Sequence, residues 1–299
     1  MTAGQDPVGF IGTGVMGAPM AEHLMDAGWT LHVHSRTRDK ATALIDRGAV
    51  WHDTPATLAR ACRAIVTLVG FPDDVERLYL GPEGLVAQAA SATLLIDMTT
   101  SRPDLARRIH AAASARDLPA VDAPVSGGEK GAREATLSIM VGGDDEAVAR
   151  AMPLLRVMGR TIVHQGPAGS GQATKLVNQI AIAGGMVAIC EAMAFAQRSG
   201  LDPEKVLASI ARGAAGSWSL TNLAPKMVAG DFRAGFYVKH FIKDMAMAAE
   251  AADAAGLDTP GLDLALSLYR RLAEAGGADH GTQGLYRLYA AAVADSQRP

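Results

Sequence analysis

Cysteine is scarce in this chain: among 299 residues only Cys62 and Cys190 carry a thiol, far apart and without metal-ligand spacing. That excludes a disulfide scaffold and a thiolate metal centre, no metal is expected, and the setting it fits is a reducing cytoplasm. Basic excess is missing as well, since 28 Lys and Arg stand against 31 Asp and Glu, a formal net charge of −3. Such a balance offers no electrostatic footprint to nucleic acid or to an anionic membrane surface, so neither is an expected partner. The opening Met-Thr-Ala-Gly-Gln-Asp-Pro has neither a basic nor an apolar export segment, and no export is expected. No apolar run reaches the roughly 20 residues that a bilayer requires. The longest, the eleven residues from Ile180 to Cys190, contains Gly184 and Gly185, stops at Glu191 and reads as a buried core helix. Aromatics make up only 5%, yet hydrophobic residues reach 49% and charged residues 20%, so disorder is excluded as the general state.

What is present changes character near the middle. From Val8 to His164, β-rich runs (Val8–Ile11, Leu31–His34, Ala64–Val69, Thr93–Asp97, Ala120–Asp122, Ser138–Val141, Ile162–His164) alternate with Ala- and Leu-rich stretches. That alternation predicts βαβ units and a parallel sheet. After Gly171 the runs Ala173–Ser199, Pro203–Ala211, Phe241–Ala255 and Leu262–Ala275 read as helices. The expected organisation is an α/β domain over residues 1–165 and an all-α domain over 166–299, with a cleft between them.

Gly12-Thr-Gly14-Val15-Met16-Gly17 follows a strand run and opens a helical stretch. In that context Gly12 allows the tight turn, Gly14 a close approach to pyrophosphate and Gly17 close helix packing, while the helix start offers N–H groups to the anion. An FAD site would share this fingerprint, and mere turn chemistry is the competing reading. An NAD site usually ends its second strand in a carboxylate about 20 residues on. Here that strand is followed by Ser35-Arg36-Thr37, two hydroxyls and a guanidinium that suit a 2′-phosphate. NADP(H) is therefore favoured over NAD(H), against the blander reading that Arg36 is an ordinary surface charge.

In Asp122-Ala-Pro-Val-Ser126-Gly127-Gly128, a Ser and two glycines place a hydroxyl and backbone N–H groups where a carboxylate could bind, unless this is a plain glycine turn. Lys175 and Asn178 lie at i and i+3 near the start of an apolar helix, where the helix dipole opposes a cation. Function explains that placement better than stability does, although a lysine whose stem packs at a domain edge would look the same. Lys239 and Lys243 at i and i+4 suit either a solvated face or a site.

Taken together, GxGxMGxxM (Gly12 to Met20), IDMTT (Ile96 to Thr100), DAPVSGG (Asp122 to Gly128), GxxxKxxN (Gly171 to Asn178) and Lys243-Asp244 resemble the β-hydroxyacid dehydrogenase family, in the family's order and over nearly the whole chain. The resemblance implies a Rossmann-type doubly wound sheet followed by an all-α C-terminal domain. It further implies Lys175 as catalytic residue; Asn178, Ser126, Gly127, Gly128, Phe236 and Asp244 at the substrate; and Thr100 and Lys243 at the cofactor beside Gly12, Gly14, Val15, Met16, Gly17, Ser35, Arg36 and Thr37. Ser35 stands where NAD-using members carry Asp.

The implied activity moves a hydride between NADP(H) and a small carboxylate-bearing hydroxy acid or semialdehyde, of the 3-hydroxyisobutyrate, tartronate semialdehyde, glyoxylate or succinic semialdehyde type. A homodimer or homotetramer is implied as well. The alternatives are an imine reductase-like enzyme and a non-catalytic NADP-binding scaffold, both of which resemble this chain except at Lys175.

Overall fold

A computed structural model describes residues 6–290. The chain divides into two compact units, Met1–Lys175 and Leu176–Pro299.

The first unit is built on a nine-stranded sheet: β1 (Val8–Ile11), β2 (Leu31–His34), β3 (Val50–Trp51), β4 (Ala64–Thr67), β5 (Leu94–Asp97), β6 (Ala120–Asp122), β7 (Val125–Ser126), β8 (Leu137–Gly142) and β9 (Gly159–Gly166). Their order is β3-β2-β1-β4-β5-β6-β8-β7, with β9 against β8. The chain thus leaves β1 in one direction and returns to β4 on its other side, the reversal at which doubly wound sheets open a ligand crevice. All four residues of β1, β4 and β5 are buried, as expected for strands covered on both faces. Parity sorts them: Val8, Phe10, Ala64, Val66, Leu94 and Ile96 join one apolar cluster, while Ile11, Ile65 and Leu95 join another on the opposite face.

The parallel sheet expected from the alternation of strands and helices holds from β3 to β6. Beyond it, β8 runs antiparallel to β6 and β7, then parallel to β9. Chain length explains the change. Only a short connection joins β7 to β8, too short for the crossover of a dozen or more residues that parallel neighbours need, whereas β8 and β9 are linked through the helix Asp145–Met158.

Helices Pro55–Ala61, Pro72–Leu80, Pro103–Ser114, Pro203–Ile210 and Pro260–Leu272 all open on proline, whose missing N–H costs nothing there. The second unit is helical. Its spine is the 29-residue helix Ser170–Arg198, whose first turns belong to the first unit. By length and composition this helix could cross a membrane, but Leu176, Met186, Cys190 and Met193 are buried in one cluster with Phe241, Met245 and Tyr269. Two short helices not anticipated from sequence, Trp218–Asn222 and Ala224–Val228, follow one another, the first capped by Ser217 Oγ accepting from Leu220 N–H.

Candidate active site

Register brings the motifs of the first unit together. Ile11 pairs with His34 and Thr67, Thr67 with Asp97, and Asp97 with Asp122. Segments 12–17, 35–37, 68–71 and 98–101, and the stretch 123–128 that includes the short strand β7, therefore follow the carboxyl ends of the parallel strands along one edge.

The fingerprint loop fits a dinucleotide. A Cβ on Gly12 would lie 2.1 Å from Leu68 O and one on Gly17 would lie 1.9 Å from Gly12 O, so both positions require glycine. A Cβ on Gly14 would meet nothing within 4 Å, which leaves open space where a pyrophosphate must approach. The helix Gly17–Asp26 has no acidic residue in its first turn, Val15 beside it is exposed, and the buried Thr13 hydroxyl has no hydrogen-bond partner among the described groups. Gly12, Gly14, Val15, Met16 and Gly17 are the residues that would hold the cofactor's phosphates.

After β2, Arg36 is exposed and its Nη1 lies 3.6 Å from Oδ1 of Asp74, a carboxylate 16% exposed that also pairs with Arg77. Asp74 stands in the first turn of the helix Pro72–Leu80, well outside the motif that Arg36 belongs to. Arg38 stacks over the Trp51 ring at 5.3 Å.

Ser126 ends β7 opposite Ser138, and Gly127 and Gly128 follow with φ of +134° and +61°, conformations that side chains rarely adopt. Thr100 lies half-buried in the segment leaving β5. Lys175 is only 6% exposed, in the second turn of the helix Ser170–Arg198. That helix is fixed to the sheet by buried polar groups. Asp122 Oδ1 accepts from Gly169 N–H (2.7 Å) and Oδ2 from Gln172 N–H (2.8 Å). The Gln172 amide accepts from Ser101 N–H (2.8 Å) and donates to Thr99 O (2.7 Å). Behind them, Thr67 Oγ1 and Thr99 N–H donate to Asp97 Oδ1, and Thr67 also bonds Tyr79. Burial raises the Asp97 carboxyl to about 6 in spite of these donors, with neighbouring Asp122 adding to the rise. Asp122 is raised too, again mainly by burial.

In the second unit Asn178 Nδ2 donates to Gln179 Oε1 (2.7 Å), and Gln179 Nε2 donates to Asp244 Oδ2 (2.6 Å). Lys243 Nζ is 3.0 Å from Asp244 Oδ1, a charge contact outside hydrogen-bond angles. Asp244 is 1% exposed; its Oδ2 accepts from Gln179, and its Oδ1 faces the Lys243 ammonium without a hydrogen bond. Phe236 packs 5.7 Å from the Phe241 ring. Burial first, and Lys243 second, hold His240 below the usual imidazole range.

Gln172, Gln179, Thr67 and Asp74 escaped sequence reasoning. Gln172 stood inside the GxxxKxxN motif in a spacer position, and its partners lie 71 and 73 residues away.

Comparison with known proteins bears on this arrangement. Residues 7–166 match the family model described as NAD binding domain of 6-phosphogluconate dehydrogenase. Residues 169–289 match that described as NAD-binding of NADP-dependent 3-hydroxyisobutyrate dehydrogenase. An uncharacterized oxidoreductase of Bacillus subtilis is 54% identical over 282 residues, 94% of this chain and 98% of its own. An NAD-dependent L-serine dehydrogenase of Pseudomonas aeruginosa is 39% identical over 94% of this chain and 97% of its own. The solved structure of Mycobacterium tuberculosis 3-hydroxyisobutyrate dehydrogenase with L-serine superimposes with a TM-score of 0.85 at 31% identity, covering 95% of this chain and 98% of that one.

Proposed function

The chain belongs to the β-hydroxyacid dehydrogenase family, and from that premise we propose that it moves a hydride between NADP(H) and a small β-hydroxy acid or semialdehyde, with Lys175 as proton donor and acceptor. It is an NAD(P)-dependent oxidoreductase acting on CH–OH groups. The bound nicotinamide supplies or takes the hydride. Everything else falls to the chain's own side chains and backbone.

The observation that carries this reading is a lysine 6% exposed near the start of a helix, where the dipole opposes its charge. In reduction, the Lys175 ammonium stabilises the alkoxide forming on the substrate oxygen and gives it a proton. In oxidation the neutral amine takes that proton back. Asn178, one turn further on, orients the oxygen without changing charge. The Ser126 hydroxyl and the backbone of Gly127 and Gly128 hold the carboxylate, and Lys243 and Phe236 keep the roles that family resemblance gives them. A β-hydroxyl beside a carboxylate also describes L-serine, which the names of two relatives carry. Lys175 weighs against the imine-reductase and scaffold alternatives.

Absorbance at 340 nm with NADPH or NADH, against short semialdehydes, 3-hydroxyisobutyrate and L-serine, tests substrate and cofactor together. Equal efficiency with the two cofactors would overturn the role given to Ser35, Arg36 and Thr37. Lys175→Ala is expected to lower turnover by about 10²–10³-fold on the best substrate and to leave the KM for NADPH nearly unchanged. Retained turnover would move the search to His240, Lys243 and Asp244.

A homo-oligomer completes the proposal. Val177, Ala181, Gly184, Ala188, Ala192 and Phe195 are exposed along one stripe of the helix Ser170–Arg198, with Val177 at 65% and Phe195 at 70%. A second copy would cover these small and apolar residues closely. Light scattering at micromolar concentration should exceed the 31.0 kDa of one chain at least twofold.

A further inference from the structure

We propose that Asp122 and Gln172 are positioning residues that set the place of the Lys175 ammonium. The proposal rests on Lys175 being the proton donor.

A helix start leaves its first N–H groups without partners, and a side chain of the preceding residue usually satisfies one of them. Here the preceding residue is Gly169, which has no side chain, and the acceptor is a carboxylate that reaches in from the end of β6. Both its oxygens are used, on Gly169 N–H and Gln172 N–H, across 47 and 50 residues of chain. The helix is therefore anchored to the sheet and not merely to its own loop.

Gln172 supplies the second anchor. Its amide accepts from Ser101 N–H and donates to Thr99 O, pairing with the segment that leaves β5 as a peptide group would. Gln172 is fully buried and Asp122 nearly so. Gly171 between them lets the backbones close up, for a Cβ there would lie 2.5 Å from Met140 O and 2.7 Å from Asp122 O. Two anchors on one turn fix both the height and the rotation of the helix. Lys175 follows three residues after Gln172, about 4.5 Å along the axis, too short a distance for the helix to bend.

General stability does not account for the whole arrangement. Gly169 has a φ of +90° and a Cβ there would lie 2.8 Å from Pro103 O, so no capping side chain can stand at 169 and Asp122 takes that part. The second anchor through Gln172 is not needed for capping, and the apolar cluster around Leu176, Met186 and Met193 holds the remainder of the helix. A fully satisfied buried polar network selects one arrangement among close alternatives. In catalysis, a misplacement of about 1 Å can cost on the order of 100-fold.

The test is a double-mutant cycle on the full chain with the best substrate of the 340 nm panel. Gln172→Met keeps length and removes both hydrogen bonds. It is expected to lower kcat by about 10- to 100-fold, to leave the KM for NADPH within about threefold because the fingerprint loop is elsewhere, and to increase the isotope effect with deuterated NADPH. In the Lys175→Ala background the same substitution should cost less than about threefold, since Gln172 acts through a group already removed. Asp122→Asn, which sets one amide N–H against a backbone N–H, should follow the same pattern with a smaller loss. If Gln172→Met does not fold, Gln172→Glu, which loses the donor to Thr99, is judged by the same cycle.

Folded variants with kcat within twofold of the parent, while Lys175→Ala is severely impaired, would overturn the positioning role alone. Equal losses in both backgrounds would show a role independent of Lys175 and overturn it too. A Lys175→Ala enzyme that keeps its turnover would instead bring down the proton-donor reading, and the positioning role with it.

Discussion

The two units bury carboxylates in opposite ways. In the first, Asp97 and Asp122 lie side by side on β5 and β6, and the bonds made to them come from backbone N–H groups and a threonine hydroxyl. In the second, Asp244 lies against the Lys243 ammonium and a glutamine amide. Dipoles hold the first pair in place without a formal counter-charge in those bonds, so burial dominates and the proton affinity of both groups rises. A cation compensates the second, so neither side chain can be removed without stranding a charge. A sheet edge positions by backbone register, whereas a helical unit positions by one side chain on another.

Breaking the second arrangement should have the larger effect. Asp244→Ala leaves the largely buried Lys243 ammonium without its carboxylate and frees the amide of Gln179. Stability of the helical unit is expected to fall by about 2–4 kcal/mol, read as a shifted urea midpoint followed by far-UV circular dichroism. Asp244→Asn should cost less, because an amide can still accept from Gln179. A midpoint unchanged in Asp244→Ala would mean that the ion pair contributes nothing.

The first arrangement predicts a pH signature. The carboxyl of Asp97 rises from 3.8 to about 6 on folding, so the folded state takes up a proton in that interval. Its stabilising contribution is complete below about pH 4 and is lost as pH rises through 6. The shift of about two units corresponds to something on the order of 2–3 kcal/mol. In Asp97→Asn, which cannot ionise, stability relative to the parent should therefore improve by that order between pH 4 and pH 7. Urea titrations at the two pH values measure the difference. A difference that does not vary with pH would show that folding leaves the proton affinity of Asp97 unchanged.

This contrast also explains what was legible in the sequence. Seven β-rich runs correspond to strands: β1, β4 and β5 are fully buried and written as continuous apolar residues, β2 and β8 alternate in burial, and β9 is largely exposed but still β-rich. β3 and β7 have two residues each, too few for any period to show. The glycine fingerprint and the Lys175 motif were readable because each is local. Asp122 was visible as the opening of a motif, but its partners at Gly169 and Gln172 exist only once β6 has been laid beside β5. The opposing partner of Arg36 was likewise invisible, since Asp74 belongs to the helix after β4.

That last pair carries the smallest prediction, and it completes the comparison with a carboxylate at the surface. Asp74 is 16% exposed and attracts both Arg36 and Arg77, so it is closer in kind to Asp244 than to Asp97. Its cations, however, are exposed, the Arg36 side chain to 81%. An exposed ion pair is worth about 0–1 kcal/mol, so stability should barely change when it is broken. Recognition is more sensitive. If Arg36 receives the 2′-phosphate of NADPH, Asp74 competes for the same guanidinium and repels the same phosphate. Asp74→Asn should then tighten NADPH binding by up to about fivefold, the equivalent of 1 kcal/mol, and leave NADH binding unchanged, because NADH has no phosphate there. Fluorescence titration of both cofactors measures the two affinities side by side. Salt sharpens the result, since screening at about 1 M reduces the Debye length to about 3 Å and should erase most of the gain. Weaker NADPH binding in Asp74→Asn would reverse the assignment: Asp74 would then be holding Arg36 in the orientation that the phosphate needs, as Asp244 holds Lys243.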